Sequence, residues 1–525
     1  MAGFIDVLLR GLLLTAVSLA AGGVAWLALV LRAEPGAKPD RATARSLRAV
    51  AWAAAVAAGA QAAVVALILL DLGPRAGGLP VAAYLETAFA RVALVRVALA
   101  VALAAVAAVL AVRPAGRGAW AVLAGLAVAL VVSSAGLSHA TARLDGRSVL
   151  LALDAVHQAA VAAWVGGLGH FALYALGRGD AGDPRDRLVA RRFSGVALAA
   201  VTALVASGVV LTVLYVGDAA ALVGTAYGVM VLSKVALLVA VLGLAAGNRA
   251  LVRRAAAAAS TPRLARVVEV ELGLAVTIVY AAASLTSLPP SVDVVADRAT
   301  VGEVAARFRP APPRLASPPI DELLRTADPL MAPPGERKPV ERAWSEYNHH
   351  WSGAFVLLMG LLAVAERLGV RAGRHWPLVL LGLAAFMFVR NDPRAWPLGP
   401  AGFWESMTLP DVLQHRAFVV LIVAFGLFEW MVRAGRLPRR PWAFVFPLLC
   451  AAGGGMLLTH SHAMFDLKEE FLAEVTHAPL GIAGAFAGWA RWLELRLPSA
   501  GPTPGWIWRG GLVAVGLILL FYREG

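Results

Sequence analysis

The sequence predicts an all-α protein, a polytopic bundle of about fourteen transmembrane helices arranged as eight followed by six. Three observations support this class. Residues of the AVILMFWYC set make up 60% of the 525 residues, only 15% are charged, and apolar stretches of membrane-spanning length recur along the chain. Soluble domains have about 45–50% apolar and about 25% charged residues. The composition therefore excludes an ordinary soluble protein.

Each predicted span is an apolar stretch close to the roughly 20 residues that cross a bilayer. The first is too long for a secretory signal and lacks a basic start and a cleavage site, so we expect it to remain as an anchor. The fourteen predicted spans are 5–31, 49–72, 84–112, 119–137, 149–175, 193–216, 228–250, 267–288, 350–366, 376–390, 412–432, 442–459, 471–490 and 506–522.

The distribution of Lys and Arg among the loops predicts the orientation. One set of alternate loops holds 27 basic residues and the opposite set holds 16, half of which lie in the single long loop 289–349. Basic loops face the cytoplasm, so both termini are expected on the outer side. The net charge of +14 is then a topology signal, and nucleic acid is not an expected partner.

A Pro-rich loop of mixed charge predicts the domain organisation. Residues 289–347 are interpreted as a linker on the outer face, with one short helix from Asp321 to Thr326. The linker separates an eight-helix membrane domain, residues 1–288, from a six-helix membrane domain, residues 348–525.

The histidines are the strongest candidates for metal ligands. The single Cys450 excludes a disulfide within the chain and any multi-cysteine metal site. Imidazole and thioether suit copper better than Mg²⁺ or Ca²⁺, which prefer oxygen. Eight of the ten histidines fall at or near the predicted outer face. The predicted metal ligands are His139, His157, His349, His350, His415, His460, His462, His477 and Met464.

The same residues also have structural interpretations. Polar side chains collect at the interfacial ends of membrane helices. His349 and His350 fit a solvated helix start, and Met464 fits core packing. His460 and His462 are two residues apart, so they converge on one ion only if the helix ends between them.

A buried polar seam is predicted in the first domain. Asp154, His157 and Gln158 share one helical face by their three- and four-residue spacing. Lys234 is expected at a similar depth in the seventh span. Ionisable groups inside a membrane are costly and are typical of functional sites. A neutralising ion pair between Asp154 and Lys234 is the structural alternative.

Part of the sequence resembles the CopD/PcoD family of bacterial copper-resistance membrane proteins. The resemblance rests on SHA at 138–140, DAVHQAAVAAWVGGL beginning at Asp154, RRFSGVALAAVTALVASGVVLTVLYVG at 191–217 and LVGTAYGVMVLSKVALLVAVLGLAAGNR at 222–249. The motifs YNHHWSG, LQHRAF and LLTHSHA look like the C-terminal extension of longer CopD-like proteins.

The resemblance implies a multi-pass protein of the bacterial inner membrane that handles copper. Such proteins are usually thought to move copper from periplasm to cytoplasm, often beside a CopC-type periplasmic copper carrier. His139 and His157 are the positions that the resemblance assigns in the first domain. We expect capture of copper at the periplasmic face by His and Met and movement by ligand exchange, without bond-making catalysis. The sequence has no GxxxxGK[ST] motif for ATP.

Two other functions remain open from the sequence. The first is a haem-b membrane oxidoreductase or electron carrier, because His157, His350, His415 and His477 are on predicted helices that can supply axial pairs. The CopD fold is also thought to be related to a haem-binding membrane oxidase. The second is a copper chaperone for assembly of a respiratory oxidase, which docks on a partner without transporting copper.

Overall fold

The protein is helical throughout the part of the chain that the computed structural model describes. Within these residues every regular element is a helix, so the predicted all-α class is confirmed. The described residues are 2–76, 78–176, 184–254, 261–326, 338–459 and 468–524.

The helices of the first part of the chain are α1 Ala2–Ala25, α2 Arg41–Ala76, α3 Val81–Leu85, α4 Ala88–Leu110, α5 Arg117–Ala135, α6 Arg147–Val161, α7 Gly167–Leu176, α8 Pro184–Val216, α9 Ala219–Gly224, α10 Ala226–Arg254 and α11 Thr261–Leu285. A π-helical turn, Trp26–Leu31, continues α1, and another, Ala162–Gly166, joins α6 to α7.

The helices of the remaining part are α12 Val301–Arg307, α13 Ile320–Thr326, α14 Pro339–Arg367, α15 Val379–Arg390, α16 Phe403–Ser406, α17 Pro410–Arg433, α18 Arg439–Trp442, α19 Val445–Thr459, α20 Lys468–Glu474, α21 His477–Arg496 and α22 Thr503–Leu520. A 3-10 segment, Arg371–Leu378, precedes α15.

Twelve helical segments among the described residues are long and apolar enough to cross a membrane. The predicted spans 350–366 and 471–490 are not among them. The first lies in α14, and the second covers parts of α20 and α21. Both stretches contain histidine, tryptophan and glycine among their apolar residues, which lowers their mean hydropathy. The multi-pass architecture is confirmed, and the number of fourteen spans stays a prediction.

The described chain divides into two compact units. Most described residues of unit 1 lie in Met1–Leu222 and Met230–Val295. Most described residues of unit 2 lie in Ala296–Leu458 and Phe465–Gly525. The predicted domain limits at residues 288 and 348 stay a prediction.

The predicted linker contains two short helices. The expected helix from Asp321 to Thr326 is present as α13. The other, α12, was not predicted, although Thr300 and Glu303 form a capping box at its start, a signature of helix initiation. Their T-x-x-E spacing is visible in the sequence.

Close glycine contacts hold the helices of unit 1 together. A Cβ atom added to Gly22 of α1 would overlap the carbonyl oxygen of Ala162, and one added to Gly166 would overlap the carbonyl oxygen of Ser18. Since lipid gives little driving force for helix association, such close backbone packing is a main source of stability in membrane bundles. The contact fixes α1 against the π-helical turn that follows α6.

In unit 2, close glycine contacts also join α14 and α22. A Cβ atom on Gly353 would overlap the backbone of Leu520, and one on Gly516 would overlap the backbone of Leu357. The two helices therefore lie with their backbones in direct contact.

We expect Gly22→Ala to lower the stability of the protein by about 1–3 kcal/mol, because the added methyl group overpacks the contact with Ala162. The measurement is the midpoint of thermal unfolding of the purified full-length protein. Gly59→Ala in α2 is the matched control, since nothing lies within 4 Å of the added carbon there. An equal loss in both variants would contradict the assigned contact.

Candidate metal centre

The predicted ligands that the structure describes fall into both units. His139 and His157 are in unit 1, and His349, His350, His415 and His477 are in unit 2. The remaining three predicted ligands lie outside the described residues: His460, His462 and Met464.

His139 caps the end of a neighbouring helix in unit 1. It follows α5 directly, and its Nε2 lies 2.8 Å from the carbonyl oxygen of Leu285, the last residue of α11. A carbonyl only accepts, so Nε2 carries the proton and donates, and Nδ1 carries the lone pair. The ring packs edge-on against Tyr215 at 6.3 Å between centroids.

An ion pair between exposed side chains supports this end of unit 1. Arg143 donates to both carboxylate oxygens of Asp293, at 2.9 and 2.7 Å, and its guanidinium lies 5.9 Å from the ring centroid of Tyr215. The bidentate geometry fixes the chain after His139 against the segment after α11.

His157 is oriented by a serine of α8. Its Nδ1 lies 3.0 Å from the Oγ of Ser207, and that hydroxyl donates its proton to the carbonyl of Ala203 at 2.7 Å. The imidazole must therefore donate through Nδ1–H, which leaves the lone pair on Nε2. Gly208 makes room for the ring, because a Cβ there would come within 3.3 Å of the imidazole carbon Cε1.

The predicted ion pair between Asp154 and Lys234 is not formed among the described residues. Asp154 instead lies near Ser138 and within electrostatic range of His139. Lys234 is within electrostatic range of His157. The rotation of α6 explains the difference, since it directs Asp154 toward the end of α5 and His157 toward α8 and α10.

Gln158 is partly buried on α6, beside His157. Its side chain forms no hydrogen bond with another described residue, so the structure assigns it only a position on α6.

Two of the predicted ligands meet in unit 2. The rings of His349 in α14 and His477 at the start of α21 have centroids 6.5 Å apart, and Tyr522 stacks on His349 at 4.1 Å. His349 donates through Nδ1 to the carbonyl of Ser345 at 2.8 Å, so its lone pair is on Nε2. Imidazole nitrogens bind metals at about 2 Å, so rings at this separation can share one ion.

His350 is used differently from its neighbour in sequence. The backbone N–H of Arg314 donates to its Nδ1 at 2.7 Å, and its Nε2 donates to the carbonyl of Tyr522 at 2.8 Å. Both ring nitrogens are thus engaged with backbone groups, and no lone pair is left for a metal in this arrangement. His350 connects α14 to the chain before α13 and to the chain after α22.

His415, near the start of α17, is hydrogen-bonded to the carboxylate of Asp392, which follows α15. Its Nδ1 lies 2.7 Å from the Oδ1 of Asp392. A carboxylate bonded to one ring nitrogen is how proteins orient a histidine that binds metal through the other.

The described residues contain no group of three or more His, Cys, Asp or Glu side chains arranged to hold a metal ion. What they provide is the His349–His477 pair in unit 2, and His139 and His157 in unit 1, of which His139 lies within electrostatic range of Asp154. The described members of the predicted ligand set therefore belong to both units and do not form one group of three or more.

Sequence reasoning missed a cluster of charged side chains at one end of unit 2. Its members are partly or fully buried and lie at the ends of α14, α17, α21 and α22: Glu366, Glu429, Arg433, Arg491, Glu494 and Arg509.

Arg433 and Trp508 organise the charged cluster. Arg433 donates to Glu429 at 2.8 Å and to Glu366 at 2.9 Å, and the indole N–H of Trp508 donates to Glu494 at 2.7 Å. Arg433 and Arg491, which lie just outside the predicted spans, are thus internal. The four-residue spacing of Glu429 and Arg433, typical of a helical ion pair, was the available signal.

We expect His350→Ala to lower the free energy of unfolding by about 1–3 kcal/mol, because it leaves the Arg314 N–H and the Tyr522 carbonyl without a partner. Thermal unfolding of the purified protein measures the effect. His349→Ala is the neighbouring control and should destabilise less, since the Ser345 carbonyl that it releases lies within α14. A larger loss for His349→Ala would contradict these assignments.

Comparison with known proteins gives one match. Residues 187–285 match the family model CopD, described as copper resistance protein D, while the searches of curated proteins and of solved structures found no match. The matched segment contains Ser207, which orients His157, and Leu285, which His139 caps. The resemblance predicted from sequence is thereby confirmed for this segment, and the chain is a multi-pass membrane protein in which residues 187–285 match the model of the copper resistance protein D family.

Proposed function

We propose that this protein captures copper at the periplasmic face of a bacterial inner membrane and moves it across that membrane. One observation carries the proposal: His139 and His157 are both hydrogen-bonded to the segment that matches the copper-resistance family. The proposal includes the orientation expected from the loop charges, with both termini in the periplasm and the helices of both units within the bilayer. A CopC-type carrier is the proposed donor of copper.

The proposed mechanism in unit 1 is ligand exchange from His139 and Asp154 to His157, which lies one turn further along α6 than Asp154. Copper first contacts His139 and Asp154, which lie within electrostatic range of each other, and then passes one helical turn further to His157. The hydrogen bonds of the two imidazoles place the lone pairs on Nδ1 of His139 and Nε2 of His157. Neutral imidazole is a suitable ligand for copper.

In the proposed mechanism, the charge of Lys234 controls whether copper moves beyond His157. Its ammonium group lies within electrostatic range of His157, and like charges repel strongly where little water screens them. A copper cation at His157 therefore opposes the protonated form of Lys234. We expect passage beyond this level to require that Lys234 releases its proton or turns away.

The proposed capture site in unit 2 is the pair His349 and His477. Their rings come from two helices and lie close enough to share an ion. Tyr522 covers one face of His349, which restricts the approach of water and limits the ring to one orientation.

We expect His157→Ala to reduce copper uptake into proteoliposomes by at least about tenfold, because it removes the deeper imidazole of unit 1. Uptake is measured as copper inside the vesicles after removal of external metal with a chelator. His375→Gln, in the 3-10 segment before α15, is the control histidine and should leave uptake unchanged. Wild-type uptake by the His157 variant would refute the proposed path.

We expect the double variant His349→Ala, His477→Ala to bind less copper per protein than the wild type. The comparison is the His350→Ala variant, which should bind as much copper as the wild type because both ring nitrogens of His350 bond to backbone groups. The measurement is metal analysis of the purified protein together with its optical spectrum. A strong Soret band that shifts on dithionite reduction, in a protein without copper, would favour the haem alternative. Unchanged cytoplasmic copper with lowered respiratory oxidase activity in a deletion strain would favour the chaperone.

A further inference from the structure

Unit 1 contains a partly to fully buried group of side chains with excess positive charge. We call it the arginine site; its members come from α1, α2, α3, α4 and α5 and are Asp6, Arg10, Gln61, Tyr84, Arg96 and Ser134. None of them is a predicted copper ligand, and the proposed copper path does not use them.

Arg96 is the central residue of the arginine site. It lies about 12 Å along α4 from the first residue of that helix, at 1.5 Å per residue, and only 5% of its surface is exposed. Its Nη1 donates to Gln61 at 2.8 Å and its Nη2 donates to Ser134 at 3.0 Å. Both partners are neutral, and Gln61 is itself only 1% exposed.

No carboxylate among the described residues neutralises Arg96. The nearest ion pair joins Arg10 to Asp6 at 2.6 Å, and Arg10 is a further positive charge within electrostatic range of Arg96. Two guanidinium groups and one carboxylate leave the arginine site with one excess positive charge. A guanidinium does not lose its proton under physiological conditions, so the charge is not removed by titration.

Two donors in the arginine site have no partner. The Nε–H of Arg96 and the hydroxyl of Tyr84 are both buried without a hydrogen bond within the described part of the chain. Tyr84 is 7% exposed and lies within electrostatic range of Arg10. Leaving such donors unpaired away from water is costly, and so is a charge inside the bilayer.

Excess positive charge and unused donors together favour a negatively charged ligand. One oxygen of Asp6, Oδ1, is also buried without a partner, and it repels an anion, so the ligand belongs on the Arg96 side of the Asp6–Arg10 pair. The near-complete burial of Arg96 and Gln61 favours a small ion over a bulky lipid headgroup. One elementary charge is to be balanced, which matches a monovalent ion.

We propose that the arginine site binds a single small monovalent anion, of which chloride is the simplest example. The anion accepts hydrogen bonds from Arg96 and balances the excess charge among α1, α2, α4 and α5. Binding to the folded state then stabilises unit 1 in proportion to the logarithm of the anion concentration once the site is near saturation.

The test is thermal unfolding of the purified, full-length, copper-free protein in detergent. Sodium chloride replaces sodium gluconate at constant ionic strength, so that only the identity of the anion changes. We expect the wild-type midpoint to rise by several degrees with chloride, and Arg96→Gln to remove the rise. Arg91→Gln, an exposed arginine of the same helix, is the matched control and should keep the full response.

Gln61→Glu provides a second test that does not depend on whether Arg96→Gln folds. It places a carboxylate at the side chain that accepts a hydrogen bond from Arg96, and we expect it to remove the chloride response by balancing the charge within the protein. A wild-type midpoint that does not respond to chloride, or an Arg96→Gln variant with the full response, overturns the proposal. A response to added phosphatidylglycerol but not to chloride overturns it as well, in favour of a lipid headgroup.

Discussion

The arrangement of this protein depends on one constraint: a polar group removed from water must find its partner within the protein. Backbone groups meet the constraint by forming helices, which explains the all-α architecture. Side chains meet it in several ways. His139 and His350 bond to carbonyls near helix ends, and Arg433 pairs with two glutamates. Only after these demands are met do any imidazole lone pairs remain for a metal.

The sequence predicted the fold class because composition and span length are properties of the chain alone. It did not predict the partners of individual side chains, because those depend on how helices rotate against each other. His349 and His350 show the difference, since adjacent residues of the same type face a second imidazole and two backbone groups respectively. Asp154 and Lys234 do not pair, because α6 directs Asp154 toward the end of α5.

Electrostatics divides unit 1 into two regions. The carboxylate of Asp154 lies within electrostatic range of His139, where it attracts a cation, while Arg96 and Arg10 make the region around α4 repulsive to one. A copper path along α6 and α8 agrees with this division. Lys234 adds a positive charge within electrostatic range of His157.

The contacts of Tyr522 impose an order on the biogenesis of unit 2. His350 bonds to a residue 172 positions later in the chain, and the ring of His349 stacks on that same residue. At a synthesis rate of about 5–20 residues per second, α14 leaves the ribosome roughly 10–30 s before Tyr522 does. During that interval both imidazoles lack their final neighbour, so a nascent chain in a copper-rich cell exposes them to premature metallation.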